Sequence, residues 1–124
     1  MLTLSPAVRV FVASEPIDLH LSFDRLAGVV RNQLRADPLS GHLFVFFNRT
    51  RTRTKIFAFD RTGYAVYYRR LERGTFQLPA IPADATRVEV DAATLAMILE
   101  GIDLRAPRRL RFALDPEKRR GAQS

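Results

Sequence analysis

Apolar positions recur with two different periods in the first third of the chain. Residues 8–13, VRVFVA, are β-branched and aromatic with one charged position, which is typical of a strand. From position 23 onward apolar residues recur at i, i+3, i+4, i+7 and i+11, as on one stripe of a helix. The stripe consists of Phe23, Leu26, Ala27, Val30 and Leu34. Ser22 is a suitable N-cap, and the sequence predicts a helix over 23–35 that ends before Asp37-Pro38.

Three strand-like runs follow at 42–47, 55–60 and 64–71, separated by short connections. Short connections indicate antiparallel neighbours, because a parallel pair needs a crossover of about a dozen residues or more. We therefore predict a β-meander, extended by short strands at 76–78 and 88–90.

A second helix is predicted over 92–100. Asp91 is placed as its N-cap, Val90 and Leu95 form a hydrophobic staple, and Gly101 is a natural residue beyond its end. The predicted fold class is α+β, an antiparallel meander sheet with two main helices packed on it. The expected helix contacts to the sheet are Phe23, Leu26, Val30, Leu34, Leu95, Ile98 and Leu99.

Length and composition predict one domain in a cytoplasmic protein. The chain has 124 residues and 47% apolar content, and we divide it into an α+β domain at 1–104 and a basic, partly disordered extension at 105–124. No apolar run is long enough to span a membrane, so we expect no membrane partner. The sequence has no cysteine, which excludes disulfides and thiolate catalysis.

The net charge of +7 is concentrated in two segments. Residues 49–73 carry +6 and residues 105–124 carry +5, whereas the remainder of the chain sums to −4. This asymmetry favours a polyanionic partner. Eighteen of the twenty cations are arginine, which suits bidentate phosphate contacts, although a GC-rich genome would also favour arginine codons.

A ladder of cations occupies every second position in the first basic segment. Arg49, Arg51, Arg53 and Lys55 alternate with three threonines. In an extended backbone this spacing puts the four cations on one face, where they match a phosphate backbone. The alternative is a solvated hairpin loop whose arginines serve solubility.

Aromatic residues are numerous on the predicted strands. One face of a small sheet cannot bury them all, so we expect Tyr67 or Tyr68 to be exposed for stacking on bases or docking a protein. The alternative is that helices cover both faces of the sheet. Arg69, Arg70 and Arg73 complete the predicted DNA-binding set with the ladder.

The sequence predicts no catalytic residue, metal site or cofactor. Metal-dependent DNA cleavage requires converging carboxylates. Asp24 and Asp91 have helix-terminal roles, Asp37 precedes a proline, and Asp60 belongs to a turn. The chain contains no Gly-rich phosphate loop followed by lysine, and its two histidines are far apart in sequence.

Several short motifs together resemble a known family. They are FDRLA at 23–27, DPLSGHLFVF at 37–46, KI at 55–56, DRTG at 60–63, RLERGTF at 70–76 and LEGID at 99–103. In this order the chain resembles the TnpB-type accessory protein, the second open reading frame product, of the bacterial insertion sequence 66 family. One departure lies at 18–22, DLHLS, where the family tends to have Met-Arg and a further basic residue.

The resemblance implies a protein encoded beside a transposase that assists movement of the element without being the transposase. Combined with the basic segments, it leads to the expectation of a non-catalytic accessory protein that binds DNA of the element through a basic hairpin. The alternative is a protein-protein adaptor that assembles or stabilises the transposase complex. The expected partners are therefore DNA, the transposase and other proteins of the same element.

Overall fold

The computed structural model describes residues 7–101, which form one sheet and two helices. The elements in chain order are β1 (Val10–Ala13), α1 (Phe23–Asn32), β2 (Leu43–Phe47), β3 (Arg53–Asp60), β4 (Gly63–Arg70), β5 (Arg87–Val90) and α2 (Ala92–Leu99). The α+β class is confirmed. The basic extension predicted at 105–124 lies outside the described residues.

The sheet has five strands in the order β4-β3-β2-β1-β5. Strands β2, β3 and β4 form the predicted antiparallel meander. The prediction of a purely antiparallel sheet is wrong, because β1 pairs with β2 in parallel, with Val10 opposite Leu43. The connection between these two strands contains α1, and a helical crossover of this kind is what a parallel pair requires. Strand β5 adds to the far edge, antiparallel to β1.

The long connection from β4 to β5 crosses the molecule without forming the strand predicted at 76–78. Its backbone instead bonds to the turn between β2 and β3: the Leu71 amide donates to the Thr52 carbonyl at 2.9 Å and the Phe76 amide to the Arg51 carbonyl at 2.7 Å. Phe76 is fully buried, with its ring centroid 5.5 Å from that of Phe47. The segment therefore completes the core without joining the sheet.

Both predicted helices are present and slightly shorter than expected. The Ser22 hydroxyl accepts from the Arg25 amide at 3.4 Å, and the Asp91 carboxylate accepts from the Thr94 amide at 2.8 Å, as N-caps do. Beyond α2, Gly101 has a φ of 77°, the left-handed conformation in which glycine has no steric penalty.

The two helices cover opposite faces of the sheet. Core residues alternate along each strand, so that Phe44 and Phe46 of β2 pack with α1, while Val45 and Phe47 pack with α2. The α1 core contains Ala13, Leu19, Leu26, Ala27, Val30, Leu34, Phe44, Phe46 and Phe57. The α2 core contains Val10, Val12, Leu43, Val45, Phe47, Ile56, Phe76, Leu95, Ile98 and Leu99. The alternative in which helices cover both faces of the sheet is therefore the observed arrangement.

The prediction that Phe23 packs on the sheet is wrong, because its side chain is 50% exposed. It is the first residue of α1, and the buried stripe of that helix begins one turn later at Leu26. Side chains on a helix lean toward its N-terminus, so a side chain at the first position projects past the end of the helix. Neither described helix is long and apolar enough to cross a membrane.

Candidate nucleic-acid interface

The turn between β2 and β3 is organised by the side chain of Asn48. Its Oδ1 accepts from the amides of Thr52 and Arg53, both at 3.0 Å. Its Nδ2 lies 3.2 Å from the hydroxyl oxygens of Thr50 and Thr52, which lie 3.0 Å from each other. Asparagine favours turns for this reason, since its side chain bonds to nearby backbone groups.

This turn interrupts the predicted cation ladder. Strand β3 begins only at Arg53, and Arg51 has a left-handed φ of 58°, so the extended alternation predicted from Arg49 is wrong for the first two cations. The physical reason is that the intervening threonines bond to Asn48 and close the chain into a loop. Arg49 lines a groove with Arg53 that Arg51 does not line, although Arg49 and Arg51 both line a smaller cavity beside the turn.

Four side chains meet on the α1 side of the sheet where β3 begins and β4 ends. Arg53 lies opposite Arg70, and Lys55 lies opposite Tyr68. Opposed residues project to the same face, and Phe57 of the same β3 alternation belongs to the α1 core. Tyr68 is 51% exposed, and the Lys55 Nζ lies 5.3 Å from its ring centroid. We call these four residues, together with Arg49 of the turn, the Tyr68 face.

Tyr67 and Arg69 lie on the opposite face of the sheet. Tyr67 is half-buried and packs against the α2 core. The Arg69 guanidinium donates to the Leu99 carbonyl at 2.6 Å and lies 3.8 Å from the Glu100 carboxylate. Arg69 thus satisfies a carbonyl at the C-terminal end of α2, where a cation is favourable. The structure therefore separates these two predicted site residues from the Tyr68 face.

The remaining predicted phosphate contacts differ in their surroundings. Arg70 pairs with Glu72, its Nε donating to a carboxylate oxygen at 3.1 Å. Arg73 is exposed in the connection that follows β4. Only Arg70 of these two belongs to the Tyr68 face.

The connection from β1 to α1 forms the second wall of a groove beside Tyr68. The groove has a volume of about 420 Å³. The Ile17 amide donates to the Phe47 carbonyl at 3.0 Å, which fixes this wall to the end of β2. The lining residues are Pro16, Ile17, Asp18, Leu19, His20, Asn48, Arg49, Thr50, Arg53 and Tyr68.

Asp18 is the one carboxylate among the groove's lining residues. It accepts from the His20 amide at 2.9 Å, and the His20 Nδ1 lies 3.0 Å from the same oxygen. These two contacts, the amide first, hold the pKa of Asp18 below its usual value, and the positive charge of Lys55 adds to the effect. This wall of the groove was not predicted from the sequence. The available signal was segment 18–22, where the chain departs from the family pattern.

Two further carboxylates of the described chain, Glu89 and Asp91, have structural roles. Glu89 accepts two hydrogen bonds from the Arg9 guanidinium, at 2.7 and 2.9 Å, and this pairing lowers the pKa of Glu89. Asp91 caps α2. Within residues 7–101, no group of three or more histidine, aspartate or glutamate side chains is arranged to hold a metal ion.

Comparison with known proteins places the chain in a family. The model of the IS66 Orf2-like proteins matches residues 8–109. An uncharacterized protein of Sinorhizobium fredii, y4hO, is 36% identical over 107 residues, covering 86% of this chain and 91% of that protein. A second from the same organism, y4jC, is 28% identical over 103 residues, covering 83% and 86% respectively. No solved structure matches. The chain thus belongs to the IS66 Orf2-like family, as its motifs indicated.

Proposed function

We propose that this protein is a non-catalytic accessory factor of transposition that binds DNA of the mobile element through the Tyr68 face. The observation that carries the proposal is the strand register, which sets Arg53 opposite Arg70 and Lys55 opposite a half-exposed tyrosine. Membership of a family of insertion-sequence proteins supplies the context of transposition.

The pairing of Arg53 with Arg70 supports an anionic ligand. Like charges directly opposite each other on adjacent strands destabilise a sheet. Arg70 is partly neutralised by Glu72, at a distance of 3.1 Å. A phosphate at this position relieves the remaining repulsion, and the planar guanidinium offers it paired donors.

The test is the salt dependence of binding to duplex DNA from the ends of the element. The variant replaces Arg49, Arg53, Lys55 and Arg70 by Gln. If each neutralises one phosphate, the slope of log K against log salt becomes shallower by about 3.6 in this variant. On the same principle, the four contacts account for an affinity loss of roughly 150-fold between about 50 and 200 mM salt.

A matched control removes the same number of charges elsewhere on the surface. It replaces Arg25, Arg31, Arg35 and Arg61, all exposed and outside the Tyr68 face, by Gln. We expect this control to keep most of the parent's slope. Equal slopes in the two variants contradict the proposal, because they attribute binding to net charge alone.

The adaptor role is the alternative outcome. Co-purification with the transposase after nuclease digestion, combined with an unchanged slope in the Tyr68-face variant, shifts the assignment to a protein-protein contact. The non-catalytic part is tested separately by incubating the protein with element-end DNA and Mg²⁺ or Mn²⁺. Reproducible DNA cleavage that a single Asp→Ala substitution abolishes contradicts the proposal that the protein is non-catalytic.

A further inference from the structure

Tyr68 differs from the other strand aromatics on its side of the sheet in being half-exposed. Tyr64, on the same strand, lies 5.0 Å from Phe57 by ring centroids and packs against the α1 core with Val66. Two residues beyond Val66, Tyr68 is 51% exposed. Its exposure is therefore local to the end of β4, where the α1 core no longer covers the sheet.

The groove beside this ring has an apolar wall already held in position. Pro16, Ile17 and Leu19 line it together with Tyr68, and the hydrogen bond from the Ile17 amide to the Phe47 carbonyl fixes the segment. Its volume of about 420 Å³ lies within the range of roughly 300 to 1,000 Å³ that is typical of small-molecule sites. A flat, partly apolar group the size of a nucleobase fits such a space.

The charges around the groove are unevenly distributed. Arg49 and Arg53 line the side formed by the turn and β3, and Lys55 lies beside the Tyr68 ring. Asp18, from the connection between β1 and α1, also lines the groove. A phosphate is therefore favoured beside the arginines and disfavoured beside Asp18.

A cationic groove with an aromatic platform is the arrangement used for single-stranded nucleic acids. In a duplex each base face is covered by the neighbouring bases of the stack, so it is not available to an aromatic side chain. We infer that the groove receives an unpaired DNA strand, with one base stacked on Tyr68 and adjoining phosphates at Arg49 and Arg53. This inference rests on the proposed function and adds to it the strandedness of the DNA.

The test compares three labelled probes with the full chain by fluorescence anisotropy at fixed salt. They are an oligothymidylate of about 16 nucleotides, a duplex of the same length and an oligouridylate. Tyr68→Ala is expected to weaken oligothymidylate binding by roughly 5- to 150-fold, the range measured for loss of one stacked base, and to leave duplex binding nearly unchanged. Tyr68→Phe keeps the ring and is expected to bind as the parent does.

A spectroscopic variant tests stacking directly. The chain contains no tryptophan, so Tyr68→Trp introduces a single indole whose fluorescence reports on this position alone. Oligothymidylate is expected to quench it, whereas the duplex is not. Thermal unfolding of each variant shows that the fold is intact.

The outcomes separate this inference from the proposed function. If Tyr68→Ala weakens binding of the single strand and the duplex equally, or if the indole is not quenched, the stacking inference is overturned while DNA binding stands. Tighter binding of oligouridylate than of oligothymidylate overturns the assignment to DNA. If no probe binds, both proposals are contradicted.

Discussion

Arginines on the strands of this molecule have different roles, some structural and some on the proposed DNA-binding surface. Arg69 donates to the Leu99 carbonyl at the end of α2, and Arg87 donates to the Leu34 carbonyl just beyond α1. The Arg87 guanidinium also lies 5.0 Å from the Phe11 ring centroid, a cation-π distance. Each helix thus has its C-terminal end neutralised by an arginine from a strand, which a local charge pattern cannot indicate because these contacts join residues 30 and 53 positions apart.

Arg69→Gln and Arg70→Gln are expected to affect different properties, stability in the first case and DNA affinity in the second. Loss of the cation at the end of α2 removes about 0.3 to 1 kcal/mol of stabilisation, so Arg69→Gln lowers the melting temperature by a few degrees. Arg70→Gln lowers DNA affinity and leaves the melting temperature nearly unchanged, since its partner Glu72 is on the exposed surface. Calorimetry measures the melting temperature of both variants, and fluorescence anisotropy measures their DNA affinity. Equal melting temperatures for the two proteins contradict the capping role.

Asp91 is expected to make the stability of α2 depend on acid pH. Hydrogen bonds from Thr94, its hydroxyl first and then its amide, lower the pKa of Asp91. A lowered pKa in the folded state means that the stabilisation is complete above the unfolded value of about 3.9 and is lost as pH falls through the folded value. Asp91→Asn keeps a capping side chain that does not titrate, whereas Asp91→Ala loses the cap.

Urea unfolding at neutral pH and near pH 3 measures this effect. At neutral pH we expect Asp91→Asn to be close to the parent in stability and Asp91→Ala to be weaker. As pH falls, the difference between the parent and Asp91→Ala shrinks. If the difference in stability between the parent and Asp91→Ala does not change with pH, the ionised Asp91 carboxylate is not the stabilising cap.

At the scale of elements, the β2–β3 turn decides which cations share a surface. The alternation of residue types across 49–55 is that of a strand, yet Asn48 draws the chain into a loop by four side-chain contacts. The backbone of this loop also accepts the amides of Leu71 and Phe76. The turn therefore both displays Arg49 and anchors the connection from β4.

Asn48→Ala is expected to destabilise the protein by about 1 to 3 kcal/mol, because the amides of Thr52 and Arg53 lose their acceptor in a part-buried position. Arg49→Gln in the same turn is the control, and we expect it to leave stability within about 0.5 kcal/mol of the parent. Chemical denaturation of the two variants checks this. If Asn48→Ala costs no more than the control, the turn does not depend on that side chain.

At the scale of the whole molecule, the sheet separates two cores. Leu26 is 1% exposed beneath α1, and Ile98 is fully buried beneath α2 on the other side. Leu26→Ala is expected to cost about 2 to 5 kcal/mol and Ile98→Val about 0.5 to 1.5 kcal/mol. Because the two sites belong to different clusters, the double variant is expected to lose the sum to within about 0.5 kcal/mol. A larger deviation in urea unfolding indicates that the faces are coupled.

The sequence by itself determined the elements whose signals are local. Both helices follow from apolar period and capping residues such as Ser22 and Asp91, and the β2–β3–β4 meander follows from short connections. Family membership followed from motifs in order. The concentration of cations at 49–73 could also be predicted, because the net charge of a segment is the sum of its residues' charges.

The tertiary structure decided everything that depends on which segments meet. The parallel placement of β1 beside β2 and the position of β5 at the far edge require the crossing of α1 and of the connection at 71–86. The same contacts assign Arg69 to a helix end and Arg53 to the groove, although both are arginines on strands. Local periodicity sets which face a side chain takes, whereas the neighbours across that face come from distant parts of the chain, so only the fold fixes the site.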